Sequence, residues 1–256
     1  MAKNELVKET PVISMKTELP VVVDFDADAG AGFEDADQAS YAIPFLKVLQ
    51  SMSPQTKKSD GAYIKGAEEG DLYNTVTGVV VKGDEGMTIL PCHYRRSFLE
   101  WSGPVSEGGT FVTQHNAADG DALMAKTTRT DRGNELENGH ILTDNREHYC
   151  LIIKDDGSFE PVLLALTSTQ IKKSKKWMTL MNSIILPSGN NAPMYSQLYK
   201  MTTVPETSDQ FSWFGIKVEH IGSVKSQIQY EAAKKFREMV RSGSAKADMG
   251  SDESPF

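Results

Sequence analysis

The chain has 256 residues, 39% of them hydrophobic, and a formal net charge of −8. It contains no run of about eighteen uninterrupted apolar residues, and its N-terminal Met-Ala-Lys-Asn-Glu lacks the apolar centre of a signal peptide, so we expect a cytoplasmic protein without a membrane span. Cys92 and Cys150 belong to no Cys-x-x-Cys or Cys/His spacing, which argues against a zinc site and favours two reduced thiols.

The negative charge is concentrated at the two ends of the chain. Residues 1–40 carry a net charge of −6 and residues 242–256 a net charge of −2, so residues 41–241 are neutral overall. Such segregation is typical of a nucleic-acid binder with acidic interaction tails, and equally of a protein with acidic solubilising ends. We predict a disordered acidic arm over 1–40, a folded domain over 41–241 and an acidic interaction tail over 242–256.

In the first half of the predicted domain, apolar and polar residues alternate as they do in strands. Strands are predicted over 76–82, 87–96 and 98–101, with Gly83–Gly86 as a hairpin turn between the first two. Residues 102–146 are polar and rich in glycine, without strong periodicity. A segment of that length and composition predicts a flexible insertion in a compact domain.

The second half of the domain contains further strands and two helices. The pattern predicts a hairpin over 148–168, a helix over 175–185, strands over 199–204 and 211–219, and a final helix that Gly243 stops. Strands outnumber helices and the turns lie close together. We therefore predict a mainly β fold with a few helices, compatible with a small barrel.

The most polarised segment runs from Pro161 to Pro205, where 45 positions hold no acidic residue. Lysines lie there beside aromatic side chains, and single-stranded nucleic acid requires this combination, because cations follow the phosphates while rings stack on unpaired bases. The alternative is that the lysines form a solvated helix start and the tryptophan belongs to the core. We predict nucleic-acid contacts in this segment at Lys172, Lys173, Lys175, Lys176, Trp177, Tyr199 and Lys200.

A second basic and aromatic cluster lies at the end of a predicted strand. Alternation places Tyr94 and Arg96 on one face and Arg95 on the other, with Trp101 further along. One ring and one guanidinium on the same face suit a nucleic-acid strand. The alternative is that Tyr94 packs in the core and the arginines pair with acids. We predict nucleic-acid contacts at all four residues.

Two other segments have weaker signals of the same kind. Phe211 and Trp213 fall on one face of a predicted strand and Phe214 on the other, so one face is expected in the core and the other is available as a stacking platform. Three cations in the predicted insertion are placed to close over a bound strand: Lys126, Arg129 and Arg132.

Signals for catalysis are weak. The chain has no Gly-x-x-x-x-Gly-Lys-Ser/Thr loop, no His-Glu-x-x-His and no Gly-x-Ser-x-Gly, and its glycine-rich pieces do not open a helix after a strand. The spacings of its His and Asp residues fit no metal template. We expect a protein that is not an enzyme, with no cofactor and no metal.

The chain ends in Ala-Asp-Met-Gly-Ser-Asp-Glu-Ser-Pro-Phe, an acidic segment without the apolar content for a core. This end resembles the C-terminal tip of single-stranded DNA-binding proteins, and the neutral body with basic and aromatic clusters resembles phage members of that class. The resemblance implies an OB-fold-like five-stranded barrel, here with a large polar insertion and a C-terminal helix. It also implies that the tail recruits polymerase, helicase-primase or recombinase, through Asp248, Asp252, Glu253, Pro255 and Phe256.

The sequence therefore predicts a phage protein that binds and protects single-stranded DNA without sequence specificity during replication and recombination. We expect a monomer or small homo-oligomer in the host cell cytoplasm, with no membrane association. The alternative is a phage structural or assembly protein, or an adaptor whose acidic ends engage a partner, because lysine-rich segments also line ordinary surfaces.

Overall fold

The structure is a computed structural model of the chain and describes residues 31–36, 42–209, 211–245, 247 and 249. Most of the predicted acidic arm, and every residue assigned to partner binding in the tail, lies outside these ranges. The chain divides into two units, Met1–Asp37 and Gln38–Phe256. In the first unit, residues 31–36 form turns. All the strands and helices that follow belong to the second.

The described residues form eleven strands and three α-helices. In chain order they are β1 (Leu46–Val48), β2 (Leu72–Asn74), β3 (Val80–Val81), β4 (Met87–Trp101), β5 (Phe111–Asn116), α1 (Ala117–Met124), β6 (Thr128–Thr130), β7 (Gly133–Glu135), β8 (Ile141–Ile153), β9 (Phe159–Thr167), α2 (Ile171–Asn182), β10 (Gln197–Thr207), β11 (Ser212–Ser223) and α3 (Gln227–Ser242). A mainly β fold with a few helices is confirmed.

Two long antiparallel strands, β4 and β8, organise the larger sheet. Its order is β11-β10-β4-β8-β7-β6, with β5 also paired to β4 and β9 also paired to β8. The β4–β8 ladder runs from Thr88 opposite Ile153 to Trp101 opposite Ile141, and its register shifts between Pro91 and His93. Proline has no N–H to donate to a neighbouring strand. An interior strand tolerates it at a bulge, as is the case at Pro91.

Both faces of this sheet are covered. On one face, α2 inserts Trp177 and Met181 among buried side chains that include Ile89 and Tyr199. On the other face, α3 contributes Phe236 and Val240 to a second cluster. Because strand side chains alternate between faces, neighbouring residues such as Ile89 and Leu90 serve different cores.

The sheet does not close into a barrel, so the prediction of a five-stranded barrel is wrong in this respect. The terminal strands β9 and β11 are not paired with each other. Residues 44–50 lie between them, joined to β9 by a parallel bridge from Phe45 to Leu163 and to β11 by the Gln50 amide, which bonds the backbone of Phe214. A side chain and a single bridge replace the continuous ladder that closure needs.

The local predictions have mixed outcomes. The hairpin over 148–168 is confirmed as β8 and β9. The strand predicted over 199–204 lies within β10, and the one predicted over 211–219 is confirmed as β11 from Ser212 onward. The hairpin about Gly83–Gly86 is wrong, because β3 pairs with β2 in a separate three-stranded sheet while β4 joins the larger one. A Cβ at Gly83 would lie 2.1 Å from the Gly70 oxygen, so this turn is packed against another loop.

Residues 102–146, predicted as an insertion, contain β5, α1, β6, β7 and the first part of β8. Helix α1 packs closely on β4, since a Cβ at Gly120 would lie 2.0 Å from the Phe98 ring. Only glycine, which has no Cβ, allows α1 to approach the Phe98 ring this closely. Within the described part of the chain, no helix has the length and apolar character needed to cross a membrane.

Candidate nucleic-acid interface

Helix α2 separates an apolar face from a basic one. Ser174, Trp177 and Met181 are buried at spacings of three and four residues, while Lys172, Lys175 and Lys176 are exposed. The first turn contains no acidic residue. A cation in the first turn of a helix, here Lys172, opposes the helix dipole at a cost of about 0.3–1 kcal/mol, so its charge does not serve helix stability.

The exposed lysines of α2 have no carboxylate partner within 4.0 Å among the described residues, whereas Lys173 pairs with Glu206 of β10. The Glu206 carboxylate also accepts a hydrogen bond from the Trp213 indole N–H at 2.9 Å. Burial would raise the pKa of Glu206, but Lys173 and Trp213 outweigh it and lower that pKa, so the carboxylate is ionised at neutral pH. Glu206 thus connects α2 to a half-buried tryptophan.

Trp213 lines the larger of two grooves beside the start of α2. This Trp213 groove has a volume of about 640 Å³ and lies between β1, the end of β9 and the start of β11. Phe211 is 70% exposed two residues before Trp213. The Gln170 side chain fixes the β11 backbone by accepting from the Ile216 N–H at 3.2 Å. The groove therefore offers a positioned indole beside an exposed ring.

The second groove, the Arg129 groove, lies between the β6–β7 hairpin and the start of α2. It has a volume of about 360 Å³ and is lined by Arg129, Arg132, Ser168 and Ile171. Arg132 pairs with Glu107 and Glu135. Arg129 is exposed and has no carboxylate within 4.0 Å in the described ranges. The structure therefore places one cation of the predicted insertion in the groove that reaches Ile171, the first residue of the lysine-bearing helix.

Ser168 lines both grooves and turns the chain from β9 toward α2. Its φ of +49° is the only left-handed value among non-glycine residues that the structure describes. Such a conformation is uncommon outside Gly, Asn and Asp and stores strain. The two grooves and the exposed lysines consequently meet at one strained corner of the fold.

Three aromatic residues predicted to contact nucleic acid are buried, and this corrects their assignment. Trp101, Trp177 and Tyr199 are 5%, 2% and 0% exposed. The Trp177 ring stacks on His148 with centroids 4.7 Å apart and meets Tyr199 edge-on at 5.8 Å. Burial raises the pKa of Tyr199 to about 12. None of these rings presents a face to a ligand, because packing in the core occupies both sides.

Carboxylates of β8 neutralise the arginines of β4, which confirms the alternative in which these arginines pair with acids. Arg95 bonds the buried Glu147, and Arg96 pairs with Asp144 and Asp121. The predicted alternation is confirmed, since Tyr94 lies on the Arg96 face with its ring 5.1 Å from His148. The two guanidiniums are consequently not free cations for phosphate, and the Tyr94 hydroxyl accepts from Arg146 at 3.0 Å.

Lys200 lies away from this corner. It lines a cavity of about 460 Å³ together with the carboxylates Glu85, Asp155 and Glu160. A lysine surrounded by acids does not attract phosphate, so we remove it from the interface. The predicted tail residues Asp248, Asp252, Glu253, Pro255 and Phe256 lie outside the described residues.

No group of three or more His, Cys, Asp or Glu side chains is arranged to hold a metal ion in the described part of the chain. Both cysteines are buried, and burial raises the pKa of each thiol well above its ordinary value. A protonated, inaccessible thiol is neither a nucleophile nor a metal ligand.

Comparison with known protein families gives a match over residues 12–246, to the Pam3 phage gp34-like protein family. The chain belongs to this family. Comparison with curated proteins and with solved structures gives no match. Membership indicates a phage protein and does not itself state an activity.

For this member of the gp34-like family, two interface residues were predicted only weakly from sequence. Alternation placed Trp213 on a strand face but did not say whether that face was buried, and Arg129 had no sequence signal linking it to α2. A signal that could have identified Trp213 is Glu206 seven residues before it, because the two residues lie opposite each other across the β10–β11 hairpin.

Proposed function

We propose that this phage protein binds single-stranded DNA without sequence specificity, during phage replication and recombination. The binding surface is the exposed face of α2 with the Trp213 and Arg129 grooves at its start. The observation that carries the proposal is a set of three exposed lysines that have no carboxylate partner in the part of the chain that the structure describes, beside a groove with a half-buried indole: Lys172, Lys175 and Lys176.

Electrostatics supports an anionic ligand at this surface. The lysines lie within an acid-free stretch of 45 residues, and the positive end of the α2 dipole adds to their field. A polyanion gains from such a surface because each neutralised phosphate releases condensed counterions. Lys172 lies in the first turn, where its charge opposes the helix dipole, so helix stability does not explain its presence.

The aromatic residues support single strands over duplex. Trp213 lines an open groove and Phe211 is largely exposed, so both rings are accessible to unpaired bases, whereas paired bases are already stacked in the duplex. A ring contact is tolerant of base identity, because every base has a π face. We therefore expect little sequence preference.

Tryptophan fluorescence tests this proposal at one residue. Of the three tryptophans, Trp101 and Trp177 are buried and Trp213 lines the groove. Adding oligo(dT) should quench the emission of the wild type with a strong salt dependence, and an equal amount of duplex should quench much less. The variant Trp213→Phe should keep its DNA affinity within a few-fold while losing the quenching.

The matched variant Trp213→Ala removes the ring altogether. Its affinity for oligo(dT) should fall by about 1–3 kcal/mol, the usual value of one base–aromatic stack. Quenching that persists in Trp213→Phe would place the DNA elsewhere. Absence of binding at low salt would favour an adaptor or assembly protein instead, and metal-dependent loss of the strand would indicate an enzyme.

We further propose that the acidic residues near the end of the sequence bind replication proteins. The support is compositional, since Asp248, Asp252 and Glu253 accompany Pro255 and Phe256. Deletion of residues 248–256 should leave DNA affinity unchanged or increase it, because an acidic segment competes with DNA for cations. Loss of DNA affinity on deletion would refute this assignment.

A further inference from the structure

A separate cleft opens beside β4, between α2 and α3. This Tyr195 cleft has a volume of about 400 Å³ and is lined by Tyr94, Tyr195, His93, Met178 and Arg237, with Cys92 at one wall. Its volume lies in the lower part of the range for small-molecule sites. Two phenol rings and a guanidinium in a site of this size suit a planar ligand that carries an anionic group.

The cleft coincides with a gap in the sheet. β8 takes one edge of β4 along most of its length, while the other edge pairs with β10 only at Met87–Ile89 and with β5 only at Ser97–Trp101. Between them, residues 90–96 have no strand on that edge within the described ranges. Backbone groups of alternate residues point to each edge of a strand, so this stretch offers donors and acceptors of the kind that read a base.

The electrostatic environment of the cleft is positive. Burial lowers the pKa of His93, and so do the charges of Arg237, Arg95 and Arg241, which outweigh the opposing effect of Glu147. Arg237 is paired only with its chain neighbour Glu238 among the described residues. Tyr195 is fixed by Tyr230, whose ring centroid lies 5.2 Å away. A phosphate at Arg237 is therefore favoured beside rings that are already positioned.

Helix α2 connects this cleft to the DNA surface. Ile171 lines the Arg129 groove and Met178 lines the Tyr195 cleft. Seven residues of helix span about 10 Å. The exposed Lys172, Lys175 and Lys176 lie along this interval, so a single strand that follows the lysines reaches the cleft within a few nucleotides.

We propose that the Tyr195 cleft binds one nucleotide unit, with its base against Tyr94 and Tyr195 and its phosphate at Arg237. The unit is either a nucleotide within a bound single strand or a free nucleotide. In its first form the inference rests on the proposed function and extends the DNA surface beyond α2.

The test is a titration followed by NMR of the ¹⁵N-labelled full chain. Thymidine 5′-monophosphate should shift the amide signals of residues 92–96, and thymidine without phosphate should do so at least tenfold more weakly. Arg237→Gln should weaken the nucleotide at least tenfold. Arg241→Gln is the matched control, because Arg241 lies one turn away, also pairs with Glu238 and does not line the cleft. Its charge acts on the cleft only at a distance, so the nucleotide affinity of this variant should fall by less than about threefold.

Oligo(dT) provides the second arm and separates the two proposals. If oligo(dT) quenches Trp213 and shifts the same amides, the cleft holds a nucleotide of the bound strand. If the monophosphate binds but oligo(dT) does not, the proposed function fails and the cleft is a site for a free nucleotide. If neither probe shifts residues 92–96, or if both arginine variants behave alike, the cleft is not a nucleotide site, whatever Trp213 reports.

Discussion

The two basic clusters of this chain look alike in sequence and differ completely in structure. Arg95 and Arg96 of β4 lie opposite the acidic residues of β8, whereas Lys172, Lys175 and Lys176 of α2 have no carboxylate beside them in the described ranges. The first cluster joins two strands and the second faces solvent. A run of positive charge therefore indicates a binding surface only when the partner element lacks the matching acids.

The β4 cluster is built around Glu147, whose side chain is fully buried. Its carboxylate accepts from Arg95 Nε at 2.7 Å and from the Tyr149 hydroxyl at 2.7 Å, and also from Ser97 and Gln114. The Tyr149 pKa is raised by burial and by this carboxylate. Each donor depends on one acceptor, so the cluster is structural and intolerant of change.

The largest effect is expected from Glu147→Ala. Removing this buried carboxylate leaves the Tyr149 hydroxyl without its acceptor and Arg95, which is 35% exposed, without its partner, a loss of about 3 kcal/mol. The free energy of unfolding, measured by urea denaturation, should fall by this amount.

Glu107→Ala is the control for that variant. Glu107 pairs with Arg132 at 3.5 Å on the surface and is 58% exposed, so its loss should cost less than about 1 kcal/mol. Equal losses in the two variants would contradict the view that the β4 cluster is a buried structural network.

The next effect concerns the α2 cluster. Replacing Lys172, Lys175 and Lys176 by glutamine should reduce the salt slope of binding to oligo(dT) by about 2, equivalent to about 100-fold in affinity at 0.1 M salt. Stability should stay the same or rise slightly, because Lys172 opposes the helix dipole. Fluorescence anisotropy at several salt concentrations measures the slope.

A charge-matched control separates local contacts from net charge. Lys58, Lys65 and Lys234 are also exposed, and replacing all three by glutamine changes the total charge equally. This variant should retain most of the affinity. If both triple variants lose affinity to the same extent, α2 has no special role and the attraction is a property of the whole protein.

The smallest effect is expected from a third cluster, around Glu100. Its burial is intermediate between that of the β4 cluster and that of the exposed lysines of α2. Glu100 accepts from His140 at 2.6 Å and from His115 at 2.7 Å. Burial would raise the Glu100 pKa, but the two histidines outweigh it and hold it below its ordinary 4.5. A lowered pKa contributes stability that is present above the unfolded-state pKa and lost as pH falls through the folded-state value.

Glu100→Gln therefore tests a weaker structural pair. Between pH 5.5 and pH 3 the wild type should lose more unfolding free energy than the variant, since only the wild type must protonate this carboxylate. Denaturation curves at several pH values measure the difference. Parallel curves would show that the two histidines do not stabilise the ionised form.

Local sequence patterns predicted much of the fold. The β8–β9 hairpin, strands β10 and β11 and the final helix follow from alternation, the Asp155-Asp156-Gly157 turn and the stop at Gly243. The hairpin about Gly83 was wrong because pairing is a tertiary choice. β3 is two residues long and pairs with β2 in the three-stranded sheet, whereas β4 belongs to the larger sheet. No local signal distinguishes these pairings.

For the interface, sequence alone determined that lysines without nearby acids cluster around the start of a helix. The helix was predicted from residue 175, and the structure begins it at Ile171, so that Lys172 and Lys173 also belong to it. The sequence also limited Tyr94 and Arg96 to one strand face, because side-chain direction follows from the local backbone. The tertiary structure decided which charges remain free and which rings remain accessible. Acids 48 and 52 positions away in sequence neutralise Arg96 and Arg95, and the core takes Trp177 and Tyr199. Burial and pairing depend on contacts that only the complete fold brings together.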